Sequence, residues 1–225
     1  MLPFESRLAP YNQKKLDVLK ALYALIKNFA DEWRLENSYS KESSYFFAMH
    51  GGCIRDTITN DKVKDYDILF YSRDFMTSFA RYIKDNEENL NAKINLSGPR
   101  SSAFIWMSSF NFEMQLLDET IILDCVYCHN VPLPLDYTVN GLYINYYGEL
   151  RSKVIGYSVD DILQHISKRK LVLIPLISNE KKYQYDTFFS QMYGKITDAN
   201  LFNRVEIDKK AEHRLELMLS KNYTV

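Results

Sequence analysis

Apolar residues recur every three to four positions over residues 13–35, which predicts an amphipathic helix. The positions that would share its buried face are Leu16, Leu19, Leu22, Ile26, Phe29 and Trp33. Further along, SYFFAMH (44–50) and DYDILFY (65–71) predict strands, with a short helix over CIRDTIT (53–59) between them. A second amphipathic helix is expected over residues 74–86.

A run of strand candidates follows that helix. They are AKINLS (92–97), AFIWMS (103–108), FEMQLLD (112–118) and TIILDCVY (120–127). From Asp136 onward the pattern predicts mostly helix. Ser158 followed by Asp161 indicates a helix cap, Pro175 would end that helix, and a last helix is expected over about 206–220.

This order of elements predicts an α+β fold, a mixed β-sheet flanked by helices with a short helical C-terminal part. We expect a catalytic or binding domain over residues 1–150 and a helical C-terminal region over residues 151–225. The chain has 225 residues and is 46% hydrophobic, which is enough for one sizeable core.

Charge and cysteine content narrow the classes of protein. The formal net charge is −1, which argues against a broad nucleic-acid surface and leaves room for a local basic groove. Three cysteines, with no signal segment, predict a reducing, cytoplasmic location. No apolar run is long enough to span a membrane, so we expect no membrane partner. Cys125, Cys128 and His129 lack an evident fourth zinc ligand, which favours plain thiols.

The strand DYDILFY contains two carboxylates, Asp65 and Asp67, that side-chain alternation places on one face. Adjacent carboxylates repel, and both stay ionised only when positive charge lies between them. Asp124 is a third lone charge, inside the apolar strand TIILDCVY. Three such carboxylates can hold two Mg²⁺ ions, one activating an attacking hydroxyl and one neutralising a leaving pyrophosphate.

Gly51 and Gly52 precede the short helix, where backbone N–H groups could approach a phosphate. Each signal alone has an ordinary structural explanation, because Asp-x-Asp at a strand start is commonly a solvated edge or a turn cap. Their order along the chain favours a catalytic site.

That order resembles the nucleotidyltransferase superfamily of DNA polymerase beta. It is most similar to the head domain of class II tRNA nucleotidyltransferases (CCA-adding enzymes) and of bacterial poly(A) polymerases. The family signature Gly-Gly-x-x-Arg-Asp, then Asp-x-Asp, stands here as Gly51, Gly52, Arg55, Asp56, Asp65 and Asp67. The stretch LDYTVNGLYIN resembles the second motif, Arg-Arg-Asp-Phe-Thr-x-Asn-Ala, through Asp136, Tyr137, Thr138, Val139, Asn140 and Gly141. The resemblance covers residues 44–175.

The resemblance implies a role for each matched residue. Asp65, Asp67 and Asp124 would bind catalytic Mg²⁺, for which Mn²⁺ can substitute, and Gly51 and Gly52 would line the triphosphate of an NTP such as ATP. Arg55 and Asp56 would shape the turn, with Arg55 near phosphate. Asp136 and Asn140 would hold the nucleotide sugar or brace the pocket.

The departures from the family pattern are specific. Pro134 and Leu135 stand where the family has two arginines before the second motif, and arginines expected on the following helix are replaced by Gln164, Ser167 and Lys170. Lys168, with its basic neighbours Arg169 and Lys170, could supply that charge instead. The base-selecting motif of the family has no clear counterpart.

These features predict a Mg²⁺-dependent nucleotidyltransferase that adds a nucleoside monophosphate to an RNA, tRNA-like 3′ end and releases pyrophosphate. The alternatives are transfer to a protein or small molecule, as in toxin-like relatives, and an inactive nucleotide- or RNA-binding protein on the same fold. Tyr143, Tyr146 and Tyr147 could stack a base or pack, and His50 could touch phosphate or pack at a strand end. The preferred NTP and the oligomeric state are left open by the sequence.

Overall fold

The computed structural model describes residues 3–37, 46–95, 109–127, 137–174 and 213–225. The helices are α1 (Pro3–Leu8), α2 (Gln13–Glu36), α3 (Gly52–Thr59), α4 (Arg73–Asp85), α5 (Glu87–Leu90), α6 (Val159–Ser167) and α7 (213–220), with a 3₁₀ turn over Thr138–Asn140. The strands are β1 (Phe47–His50), β2 (Tyr66–Phe70), β3 (Ala92–Asn95), β4 (Ser109–Leu116), β5 (Glu119–Tyr127), β6 (Leu142–Asn145) and β7 (Leu150–Ser152).

The strands form one seven-stranded sheet in the order β3-β4-β5-β2-β1-β6-β7. Strands β2 and β5 are parallel, and the other neighbouring pairs are antiparallel. The predicted fold class, a mixed sheet flanked by helices, is confirmed.

Strand register lines up polar residues across six neighbouring strands. We call this set the polar row; from β4 to β7 it consists of Asn111, Asp124, Asp67, His50, Tyr143 and Arg151. The next row along the strands is apolar and consists of Phe110, Cys125, Ile68, Met49, Ile144 and Leu150. Successive residues of a strand point to opposite faces. One face of the sheet therefore carries the polar row, and the other carries apolar side chains into the core.

Helix α2 supplies much of that core through the face that its periodicity predicts. Leu16, Leu19, Leu22, Ile26 and Trp33 are all buried. The ring of Tyr146 belongs to this packing as well, because its hydroxyl donates to Asp31 at 2.5 Å and Lys27 lies 4.3 Å from its centre. The base-stacking alternative for Tyr146 is therefore replaced by a structural role.

The region after Asp136 differs from the mostly helical prediction, since β6 and β7 lie there as strands. Four- and three-residue strands give little local signal, and they are held by pairing to β1 and to each other. The cap prediction is confirmed, because Ser158 and Asp161 form a reciprocal capping box. Helix α6 ends at Ser167, well before Pro175, because Arg169 adopts a left-handed conformation and Lys170 bridges to Thr224.

Several predictions fall wholly or partly on residues outside the described ranges. They include the strand AFIWMS, the start of SYFFAMH, Pro175 and the first part of the last helix; the described part of that helix is α7. The division near residue 150 stays a prediction. Among the described helices, none is long and apolar enough to cross a membrane.

Candidate active site

The chain enters α3 from β1 through a glycine that closely approaches a carboxylate. Gly51 has φ +82° and ψ −145°, a conformation that is essentially reserved for glycine. A Cβ atom at this position would lie 2.5 Å from Oδ2 of Asp67. The Gly-Gly segment and the Asp-x-Asp segment are therefore in close contact. Only a residue without a side chain at position 51 allows that contact.

Three carboxylates lie in or next to the centre of the polar row. Asp67 on β2 lies directly beside Asp124 on the parallel strand β5, and Asp65 precedes β2 by one residue, on the same face as Asp67. Burial, together with the negative charges of Asp65 and Asp124, raises the pKa of Asp67 to about 7, although Lys153 and Arg214 act in the opposite direction. The site therefore holds more negative charge than its own cations neutralise.

The oxygen donors around Asp124 suit a hard divalent cation. Asn111 lies opposite Asp124 on β4, and its buried side-chain oxygen accepts no hydrogen bond in the described part of the chain. Within the described residues, no three His, Cys, Asp or Glu side chains are arranged as a ready-made metal cage. The backbone thus brings the carboxylates to neighbouring positions, and ion binding would require them to turn toward a common centre.

Arg55 and Asp56 are buried and join the two sequence motifs. Arg55 donates from Nε to Asp56 at 2.8 Å and from Nη1 to the side-chain oxygen of Asn140. Lys221, in the turn after α7, donates to the other oxygen of Asp56 at 2.8 Å. We call this the motif clamp: Arg55, Asp56, Asn140 and Lys221. Arg55 and Asn140 are therefore engaged with each other, which matches the bracing role better than direct phosphate contact.

Two cations near Asp67 have no counterpart in the motifs. Lys153, just after β7, lies 3.3 Å from Nδ1 of His50. Burial, with the charge of Lys153, holds the pKa of His50 well below its usual range, so this imidazole stays neutral. The positive charge of Arg214, on α7, also lowers the pKa of Asp67. Sequence reasoning missed both residues, because neither stands in a recognisable pattern.

The remaining predicted residues lie apart from the carboxylates or outside the described chain. Lys168 is exposed at the C-terminal end of α6. Its neighbour Arg169 has a structural role, since it donates to both oxygens of Asp61 at 2.9 Å. Asp136, Cys128 and His129 fall outside the described residues. Cys125 is buried on the opposite face from Asp124, and burial raises the pKa of its thiol.

No family model and no curated protein sequence matches the chain. Among solved structures, the chain is similar to a CCA-adding enzyme with CTP, at 17% identity and a TM-score of 0.46, covering 96% of this chain and 49% of that one. The same enzyme name with ATP matches at 16% identity and a TM-score of 0.43, covering 90% and 47%. The Thermotoga maritima CCA-adding enzyme complexed with tRNA_CCA matches at 15% identity and 0.41, covering 76% and 37%.

The chain spans between about a third and a half of the length of these structures. CCA-adding enzymes are also the proteins that the two sequence motifs resemble.

Proposed function

We propose that this protein is a Mg²⁺-dependent nucleotidyltransferase that moves a nucleoside monophosphate from an NTP to a hydroxyl group, most naturally at an RNA 3′ end. The reaction forms a bond between the acceptor oxygen and the α-phosphorus. It breaks the bond from that phosphorus to the bridging oxygen and releases pyrophosphate.

The observation that carries the proposal is the pairing of Asp67 with Asp124 on parallel strands, with Asp65 on the same face. Burial and the charges of Asp65 and Asp124 raise the pKa of Asp67, so keeping this cluster ionised is costly in an unligated protein. A divalent cation held by these carboxylates would remove that cost, polarise the phosphate and lower the pKa of the attacking hydroxyl. The orphaned oxygen of Asn111 beside Asp124 supports the same interpretation.

Each part of the site then has a task within the chain. Asp65, Asp67 and Asp124 would hold the metal. Gly51 and Gly52 would let backbone N–H groups at the start of α3 approach a phosphate. Lys153 and Arg214, which already act on Asp67, would help to neutralise the triphosphate in place of the family arginines. The motif clamp would keep α3 in register with the second motif.

The test is incubation of the purified protein with each α-³²P-labelled NTP, Mg²⁺ and total RNA, with RNA and protein resolved on one gel. Asp67→Asn should abolish labelling. Asp118→Asn is the matched control, because Asp118 is exposed in the β4–β5 turn and its left-handed conformation also suits asparagine.

Label on RNA from the parent and the Asp118→Asn control, but not from Asp67→Asn, would support the proposal. Label on protein bands would mean that the protein transfers nucleotides but that the acceptor is a protein and not RNA. Absence of label under every condition, or labelling that persists in Asp67→Asn, would overturn it.

A further inference from the structure

A surface pocket of about 270 Å³ lies at the end of the sheet where the central strands β2 and β5 begin. Its lining includes four lysines, Lys14, Lys15, Lys62 and Lys64, and one acidic residue, Glu119. The whole chain has 28 basic and 29 acidic residues, so this local excess of positive charge is not a reflection of composition.

Part of the positive charge stands where a helix ordinarily avoids it. Lys14 and Lys15 occupy the first turn of α2, which contains no acidic residue. The N-terminal end of a helix carries partial positive charge and favours acidic side chains, so two lysines there oppose the helix dipole. The lysines therefore add their positive charge to that of the helix N-terminus. An anionic partner at this point would be stabilised by both the ammonium groups and the helix dipole.

The structure of the chain leaves much of this charge accessible. Lys14 pairs with Glu119 at 2.5 Å, and Lys15 donates to the backbone carbonyl of Asp61. Lys64 lies 3.6 Å from Asp65, and its side chain is 88% exposed. Lys62 is also exposed, and no ion pair is recorded for it among the described residues. The two loop lysines are thus available to a ligand.

The pocket adjoins the carboxylates of the candidate active site. Lys64 directly precedes Asp65 in the chain. Ile122, which lines the pocket, shares a strand face with Asp124 and lies two residues before it, about 7 Å along β5. The lining residues Tyr66 and Ile121 lie on the opposite face, so the pocket is at the end of the strands. A nucleic-acid strand with one phosphate in the pocket would therefore have its end within reach of the carboxylates.

We propose that this lysine pocket binds backbone phosphates of the acceptor nucleic-acid strand and holds its terminal hydroxyl near Asp65, Asp67 and Asp124. This inference rests on the proposed function for the identity of the strand as an acceptor. The chemistry that the pocket recognises is the phosphodiester group, since lysine ammonium groups contact phosphate as point charges and read no base.

Binding is tested by fluorescence anisotropy of a short labelled single-stranded RNA in EDTA, where no nucleotide transfer can occur. The Lys62→Gln/Lys64→Gln variant is compared with Arg81→Gln/Lys84→Gln, which removes the same charge from exposed positions on α4, beyond the opposite end of β2. The pocket variant should bind roughly tenfold more weakly at low salt, and its slope of log K against log salt should be shallower by about 1.4. The Lys62→Arg/Lys64→Arg variant should bind like the parent.

Equal binding by the pocket variant and the α4 control, or no RNA binding by the parent, would overturn the pocket proposal. If the pocket variant instead loses affinity for Mg²⁺-ATP and keeps RNA binding, the pocket serves a nucleotide phosphate and the proposal is wrong. RNA binding that depends on the lysines in a protein that transfers no nucleotide would sustain the pocket and refute the enzymatic proposal.

Discussion

At the scale of single residues, the centre of the site carries negative charge that the basic residues of the fold do not fully neutralise. Burial and the charges of Asp65 and Asp124 raise the pKa of Asp67, and Lys153 and Arg214 lower it. The polar row supplies further neutral polar groups from neighbouring strands, such as Asn111. The residues are therefore arranged for a ligand that brings positive charge.

Asp67→Asn should stabilise the metal-free protein while abolishing its activity. Removing the charge relieves burial and repulsion by two carboxylates, and we expect the free energy of unfolding at pH 8 to rise by about 1 kcal/mol. Urea denaturation in EDTA measures this, with Asp118→Asn expected to match the parent. A variant less stable than the parent would show that the Asp67 charge is compensated in the apo protein.

At the scale of elements, the second motif is held by close packing of the 3₁₀ turn against the segment after β7. Gly141 ends that turn, and a Cβ there would lie 2.2 Å from Cγ2 of Val154 and 2.8 Å from the carbonyl oxygen of Thr138. The family that the motif resembles has alanine at this position. In this chain, the nearby valine and carbonyl explain the glycine.

Gly141→Ala should lower the free energy of unfolding by about 1–3 kcal/mol, the usual range for an overpacked site. Val154→Ala should relieve part of the clash. In urea unfolding, the double variant should therefore lose less stability than the sum of the two single variants. Strict additivity would mean that the strain lies with the Thr138 carbonyl and not with Val154.

An ion pair joins Arg169, which follows α6, to Asp61 in the turn after α3. This pair should make the free energy of unfolding depend on pH. Burial alone would raise the pKa of Asp61, but hydrogen bonds from Arg169 and Thr59 and the charge of Arg169 outweigh it, and the pKa is lowered. This contribution is therefore present above the unfolded pKa of about 3.9 and is lost as pH falls through the lower folded value.

Asp61→Asn should accordingly be less stable than the parent at pH 7, and the difference should shrink as the pH falls below about 4. Urea unfolding over a pH series gives the comparison, and Arg169→Gln should reproduce the same trend. A difference in stability that stays constant from pH 7 to pH 3 would contradict the role of the Asp61 charge.

At the scale of the whole molecule, the sequence predicts those features that depend on the local pattern of apolar and polar residues. The period of α2 and the alternation around Asp67 and Asp124 are visible in the sequence, and the structure places those carboxylates side by side. Strands β6 and β7 depend on pairing with distant β1, and Lys221 reaches Asp56 across the chain. Contacts of that kind leave no local signal, so the sequence could not show them.

Lys221→Met should lower the free energy of unfolding by about 2–3 kcal/mol. The change leaves the buried carboxylate of Asp56 with Arg55 as its remaining basic partner in the motif clamp. Lys84→Met, at an exposed position on α4, is the matched control and should change stability little. Thermal or urea unfolding compares the two variants. Equal losses in the free energy of unfolding would show that the contact between Lys221 and Asp56 does not stabilise the fold.

The motif clamp also sets the order of events during synthesis. Asp56 and Lys221 are 165 positions apart, and contacts between such distant residues form late because a long loop must close first. A nascent chain shorter than 221 residues holds Gly51, Gly52 and the carboxylates without the ammonium group that pairs with Asp56. On the ribosome, the motif clamp is therefore completed only after residue 221 has emerged.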